Sequence, residues 1–124
     1  MISKTIKFLD VVTATTTSDP VNIEGCVKMT LQFIRADHSA GSTSFAVSVS
    51  QDGVNWVTYN KLIANVINAI AEGLVRVAAS SLASATSKMY SMDLENDTYK
   101  WMRVTATETT DGTHSAIGVG LFVN

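Results

Sequence analysis

Two histidines, His38 and His114, are the only residues of the type that most readily moves protons near neutral pH. To catalyse, one of them must hydrogen-bond a nucleophile and be oriented by a third group. Both fall in or beside segments that read as turns, and no nucleophile motif accompanies either. The expectation is two solvated loop histidines, no catalytic residue and no enzymatic activity. Asp93, Glu95 and Asp97 have the spacing of part of a calcium loop, which needs several oxygen ligands and a tight Gly. The segment has no such Gly and no distal Glu in register. A solvated acidic turn is expected, with a weak divalent-ion site as the alternative, and no metal ligand is assigned. Cys26 is the only cysteine, which excludes an internal disulfide and a multi-cysteine metal centre. It reads as a small packed apolar residue. No cofactor is expected.

The aromatic residues Trp56, Tyr59, Tyr90, Tyr99, Trp101 and Phe122 are the right types for a sugar-stacking platform or for a core. Arg103 and Arg76 fall in the middle of strand-like runs, where a charge needs a partner or an open face. Trp101 is expected to pair with Phe122 on the face opposite Met102 and Val104, beside Gly118 and Gly120. That face either packs on a second sheet or is a binding patch. An Arg beside Trp101 fits an interface better than a core. The candidate interface residues are therefore Trp101, Arg103, Phe122, Gly118 and Gly120.

These residues are positioned by runs of β-forming sequence around two Asp-Gly pairs, Asp52-Gly53 and Asp111-Gly112. An Asp-Gly pair between such runs predicts a two-residue type I′ turn, which requires φ > 0 at both central residues. The first turn places Val49 opposite Trp56 and Val47 opposite Thr58. The second places Val104 opposite Val119, Met102 opposite Leu121 and Ala106 opposite Ile117, apolar pairs worth roughly 0.2–1 kcal/mol each. Further strands are expected over residues 5–13, 27–33, 74–78 and 88–94. Polar loops are expected over 14–19, before Pro20, and over 80–87. Residues 61–74 are ambiguous. Leu62, Ile63, Val66, Ile67, Ile70 and Leu74 recur at helical spacing, with Asn60 and Gly73 as possible caps. Four β-branched residues and two asparagines argue for a strand and loop instead.

Composition bounds the rest. A chain of 124 residues predicts one domain, 1–124, with enough length for a sizeable core. Charged residues are only 16%, so the surface must be neutral and hydroxyl-rich. A net charge of −2 supplies no basic field for nucleic acid or an anionic membrane. No run approaches the ~20 apolar residues of a membrane span. The first ten residues lack the apolar centre of a signal peptide, which predicts synthesis in a cytoplasm.

The segment Ser50-Gln-Asp-Gly-Val-Asn-Trp56, continuing to Tyr59, resembles an S-x-D-G-x-x-W element common in β-sandwich modules. Tyr99-Lys-Trp-Met-Arg-Val104 resembles their penultimate strand. Residues 47–60 and 88–123 together resemble small sandwich-like virion structural proteins of tailed phages. Discoidin-like carbohydrate-binding modules share the same phrases. The resemblance implies an all-β antiparallel sandwich or jelly roll of about seven to nine strands. It further implies a head decoration or accessory capsid protein, made in the host cytoplasm and residing in the virion. Its partners would be itself, as a homo-oligomer with a trimer preferred, and a major capsid or other virion protein. A glycan is the alternative ligand. Residues 1–4 and 14–19 are expected to order only against a neighbouring subunit.

Overall fold

The computed structural model describes residues 1–38, 40–64, 76–77, 79–82 and 86–123. Within them the chain forms twelve strands and no helix: β1 (Ile2–Val12), β2 (Thr16–Thr17), β3 (Val21–Asn22), β4 (Cys26–Ala36), β5 (Thr43–Ser50), β6 (Val57–Thr58), β7 (Leu62–Ala64), β8 (Arg76–Val77), β9 (Ala79–Leu82), β10 (Thr86–Asp93), β11 (Trp101–Glu108) and β12 (Thr113–Phe122). The first sheet runs β1-β12-β4-β10-β7-β8. The second runs β2-β11-β5-β6, with β3 also on β11 and β9 also on β5. All pairings are antiparallel. This is the expected all-β antiparallel sandwich, with twelve strands among the described residues where about seven to nine were expected.

The period-2 alternation of β4, β5 and β11 sorts their side chains between the core and the outside. Met29, Leu31 and Phe33 point inward from β4, and Phe45, Val47 and Val49 from β5. Met102, Val104 and Ala106 do so from β11. The two sheets meet where Phe33 stacks on Phe45, with ring centroids 4.8 Å apart and planes 9° from parallel.

The second expected hairpin does not form. β11 pairs with β5, β2 and β3 in one sheet, while β12 pairs with β1 and β4 in the other. Residues 109–112 therefore carry the chain from one sheet across to the other. Val104, Met102 and Ala106 have no ladder contact with Val119, Leu121 and Ile117. The faces of β12 are also the reverse of those expected. Ala116, Gly118, Gly120 and Phe122 are buried, and Val119 is 46% exposed. Among these residues only the glycines carry a positive φ: Gly112 lies at 126° and Gly53 at 75°, whereas neither Asp52 nor Asp111 does. Neither Asp-Gly pair is a type I′ turn.

The first hairpin forms with a different register. Val49 pairs with Val57 and Ser48 with Thr58, one residue away from the expected pairing. Residues 51–56 form a wider loop around the Asp52 carboxylate. Its Oδ1 accepts from the backbone N–H of Val54 (2.9 Å) and Asn55 (2.8 Å) and from Ser50 Oγ (2.9 Å), and its Oδ2 accepts from Asn55 Nδ2 (2.7 Å). An acid that bonds the backbone beyond it replaces the tight turn with an Asx-type loop. A one-residue slip turns a side chain to the other face, and it takes Trp56 out of the core position beside Val49.

The terminal segment and the 14–19 loop are held within the chain, contrary to the expectation that they need a neighbour. Ile2, Ser3 and Lys4 pair with Phe122, Leu121 and Gly120. Thr16 and Thr17 pair with β11, Ser18 N–H donates to Val104 O (2.8 Å), and Val104 N–H donates to Ser18 Oγ (2.9 Å). In the ambiguous segment, Leu62–Ala64 is strand, and the rest of it, 65–74, lies outside the described residues. Of the run 74–78, Arg76–Val77 is strand and the remainder lies outside them. Ala79–Leu82 pairs with β5, so the expected 80–87 connection is shorter than predicted.

The Asp52 loop has a consequence for pH. Hydrogen bonds from the Asn55 backbone, then the Val54 backbone, the Asn55 side chain and Ser50 hold its carboxyl well below its usual value of 3.8. A depressed acid contributes stability that is complete above its unfolded value and is lost as pH falls through its folded value. The Asp52 contribution should thus be intact at neutral pH and decline progressively below about pH 4. Asp52→Asn should flatten the acid side of the stability profile and change it little with pH above 5. Denaturant midpoints for both proteins from pH 2 to pH 7 check this.

Candidate functional site

The candidate interface residues divide between two places. Trp101 and Arg103 lie on β11 at positions alternating with buried Met102 and Val104, so they project from the outer face of the second sheet. Gly118, Gly120 and Phe122 face inward from the first sheet and are buried. The expected Trp101–Phe122 pair does not exist, because the two strands belong to different sheets. The glycines make room for core side chains instead. A Cβ at Gly118 would lie 3.0 Å from both Met29 Sδ and Phe8, and one at Gly120 would lie 2.7 Å from Phe122 and 3.2 Å from Cys26 Sγ. Lys4 Nζ sits 4.7 Å above the Phe122 ring.

On the second sheet the structure adds a residue that the expected register had placed in the core. Trp56 lies outside, and the Arg103 guanidinium sits over it with Cζ 4.2 Å from the ring centroid. Arg103 Nε is buried with no hydrogen-bond acceptor, and Arg103 forms no ion pair with any described residue. Ser48 lies directly opposite Arg103 on β5, and Thr58 lies opposite Ser48 on β6. Gly53 crosses beside the Trp101 indole, where a Cβ would sit 3.4 Å from Nε1. Among the described residues, this group combines two tryptophans, one cation and neutral hydroxyls. Arg76 lies in β8 of the other sheet, away from this group.

A second feature is a cleft of about 480 Å³ beside the same loop, lined by Val49, Asp52, Asn55, Val57, Tyr59 and Tyr99 among others. Tyr59 and Tyr99 meet edge to face, with centroids 6.0 Å apart.

The expectation of two solvated loop histidines is corrected at His114, while His38 lies in the loop after β4 and is half-buried. His114 is completely buried. Its Nε2 is 3.1 Å from Glu108 Oε2, and its Nδ1 is 3.1 Å from Thr43 Oγ1. An ionised carboxylate can only accept, so Nε2 donates to Glu108 and, on a neutral ring, Nδ1 accepts from the Thr43 hydroxyl. The trio Thr43, His114 and Glu108 has the composition of a nucleophile–base–acid set. Thr43 and His114 are both 0% exposed, however, so no substrate reaches either reactive atom. The trio pins β5 and β11 to β12 across the sandwich. Arg35 is also buried, and it donates from Nη1 to Gly41 O (3.0 Å) and from Nη2 to Ala40 O (2.7 Å) and Asp111 O (2.9 Å). It ties the loop after β4 to the crossover before β12. The signal for it in the sequence is parity: Arg35 continues the inward series Met29, Leu31, Phe33.

Around the acidic turn, Asp93 Oδ1 accepts from the Glu95 N–H (3.1 Å), and Asp97 pairs with Lys61 (2.7 Å). Among the described residues no group of three or more His, Cys, Asp or Glu side chains is placed to hold a metal ion. Burial pushes the Cys26 thiol above its usual value, which leaves it a packed residue rather than a ready nucleophile. Among the described residues no helix is long and apolar enough to cross a membrane.

No protein-family model matches this sequence, and no curated protein does. Among solved structures the fold is similar to that of the SPBc2 prophage-derived protein YomS, with a TM-score of 0.63 and 12% identity over 95% of this chain and 93% of that one. A looser likeness, with a TM-score of 0.44 and 8% identity over 100% of this chain and 93% of the other, is to a structure described as Bacillus endospore appendages that form disulfide-linked pili.

Proposed function

We propose that this chain is a non-enzymatic structural component of a tailed-phage virion. In this reading it is a capsid decoration or accessory protein that docks on the outer surface of the major capsid protein as a symmetric homo-oligomer, with a trimer preferred. One observation carries the proposal: Trp56, Trp101 and Arg103 gather on the outer face of the second sheet among neutral hydroxyls. Tryptophan and arginine are the residue types enriched at the centres of protein interfaces. A group with one formal charge among its described residues is covered by a partner without burying several unpaired ions. The prophage origin of a protein with a similar fold is in keeping with this reading. The resemblance of residues 47–60 and 88–123 to phage virion proteins also supports it.

Light scattering on the purified protein should report a closed oligomer, and the protein should co-sediment with the capsids it decorates. Trp101→Ala should reduce particle binding at least tenfold. It should change the melting temperature little, because Trp101 lies outside the core. A stable monomer that joins no particle would remove the proposal.

A second reading, a carbohydrate-binding module on a tail or fibre, is favoured by the Tyr59–Tyr99 cleft. Aromatic floors with a few polar rim groups suit small neutral ligands. Saturable sugar binding that Tyr99→Ala abolishes, with no particle association, would select it.

A further inference from the structure

The outer face of the second sheet holds a charge that no described residue neutralises. Arg103 is half-buried in the middle of β11, and its guanidinium carbon lies over the Trp56 ring, 4.2 Å from the centroid. An aromatic ring attracts a guanidinium but leaves its N–H donors to find acceptors. Nε is buried without one. Asp52, the carboxylate of the loop that leads to Trp56, is engaged with Val54, Asn55 and Ser50. Ser48 and Thr58 can share a hydrogen bond but cannot neutralise the cation.

We infer that the Trp56–Arg103 pair is a carboxylate-binding site, and that its occupant is an aspartate or glutamate side chain of the virion protein on which this face docks. Three features select that chemistry. The planar fork of arginine matches a carboxylate with two parallel hydrogen bonds. One cation among neutral neighbours balances a monoanion, whereas a phosphate dianion calls for a second positive group. A pyranose acid would also need an aromatic surface for stacking, yet one face of Trp56 is covered by the guanidinium and Gly53 lies against Trp101. The chemistry of the site follows from these contacts; the identity of the partner rests on the virion reading above.

The test uses the full chain, isotopically labelled, titrated separately with N-acetyl-glutamate N-methylamide, galacturonate and inorganic phosphate, with Arg103 Nε–H and the Trp56 and Trp101 indole N–H followed by NMR. The glutamate probe should give saturable shifts at Arg103 and Trp56. Arg103→Lys keeps the charge but loses the fork, and should weaken binding about tenfold. Trp56→Phe keeps a stacking ring and should weaken it only a few-fold; melting curves confirm that both variants fold. The inference is overturned by an absence of saturable shifts, by equal affinity in Arg103→Lys, or by tighter binding of galacturonate or phosphate than of the glutamate probe. Particle binding separates this inference from the reading it rests on. A protein that binds the glutamate probe and joins no particle keeps the carboxylate site and removes the virion partner. An Arg103→Lys protein that decorates particles at the wild-type level keeps the virion role and removes the site.

Discussion

Gly120→Val should unfold this protein or lower its stability by about 3 kcal/mol or more. Gly120 faces the core of the first sheet, where a Cβ would stand 2.7 Å from Phe122, 3.2 Å from Cys26 Sγ and 3.2 Å from Met29 Cε. Those neighbours are themselves buried. Valine adds two further methyl groups to a space too small for one carbon, and a close-packed interior has nowhere to move them. Gly120→Ala should cost less, because it adds one carbon against these neighbours where valine adds three. A graded loss from Gly to Ala to Val in denaturant midpoint is the expected result. Wild-type stability in Gly120→Val would contradict the inward placement of this residue. The loss is one of folding, and it is independent of the Trp101 face, which belongs to the other sheet.

Gly112→Val should cost about 3 kcal/mol, by a different route. Here the backbone itself excludes other residues: φ is 126°, a region that is essentially glycine's own. A Cβ would also meet Arg35 Nε at 3.2 Å and Ala36 O at 3.3 Å. Because the first carbon already incurs both penalties, Gly112→Ala should show most of the loss seen with Val. That contrasts with the graded response at Gly120, and thermal melts of the four variants separate the two mechanisms. The crossover at Gly112 is also where Arg35 holds Asp111 O, so a shift there loosens the contact between the loop after β4 and the start of β12.

The two Asp-Gly pairs show how far local sequence reaches. Each marks a place where the chain turns, and glycine with positive φ is required at both. What the turn joins is another matter. Asp52-Gly53 connects neighbours in one sheet, while Asp111-Gly112 sends the chain from one sheet to the other. Both readings satisfy the same local rule. The choice is made by the partners available to β12, namely β1 and β4, which lie far away in sequence. Alternation alone does not orient β12, because both of its faces carry apolar residues. Ile117, Val119 and Leu121 look like the core face by size. The structure instead turns Ala116, Gly118 and Gly120 inward, because Phe8, Met29 and Leu31 already fill the space opposite.

The candidate site was legible in the same partial way. Parity along β11 set Trp101 and Arg103 opposite Met102 and Val104, which needs nothing beyond the strand's period of two. Trp56 came to them only through the Asp52 loop, whose hydrogen bonds shifted the hairpin register by one residue. Phe122, Gly118 and Gly120 left the group when β12 joined the other sheet. By itself, then, the sequence determined the all-β class, the sandwich and the inward faces of β4, β5 and β11, because alternation is a local property of each strand. Only the tertiary structure decided the sheet to which β12 belongs, the burial of His114 and Arg35, and the meeting of Trp56 with Arg103. Each of these depends on segments distant in sequence competing for the same ladder or the same volume.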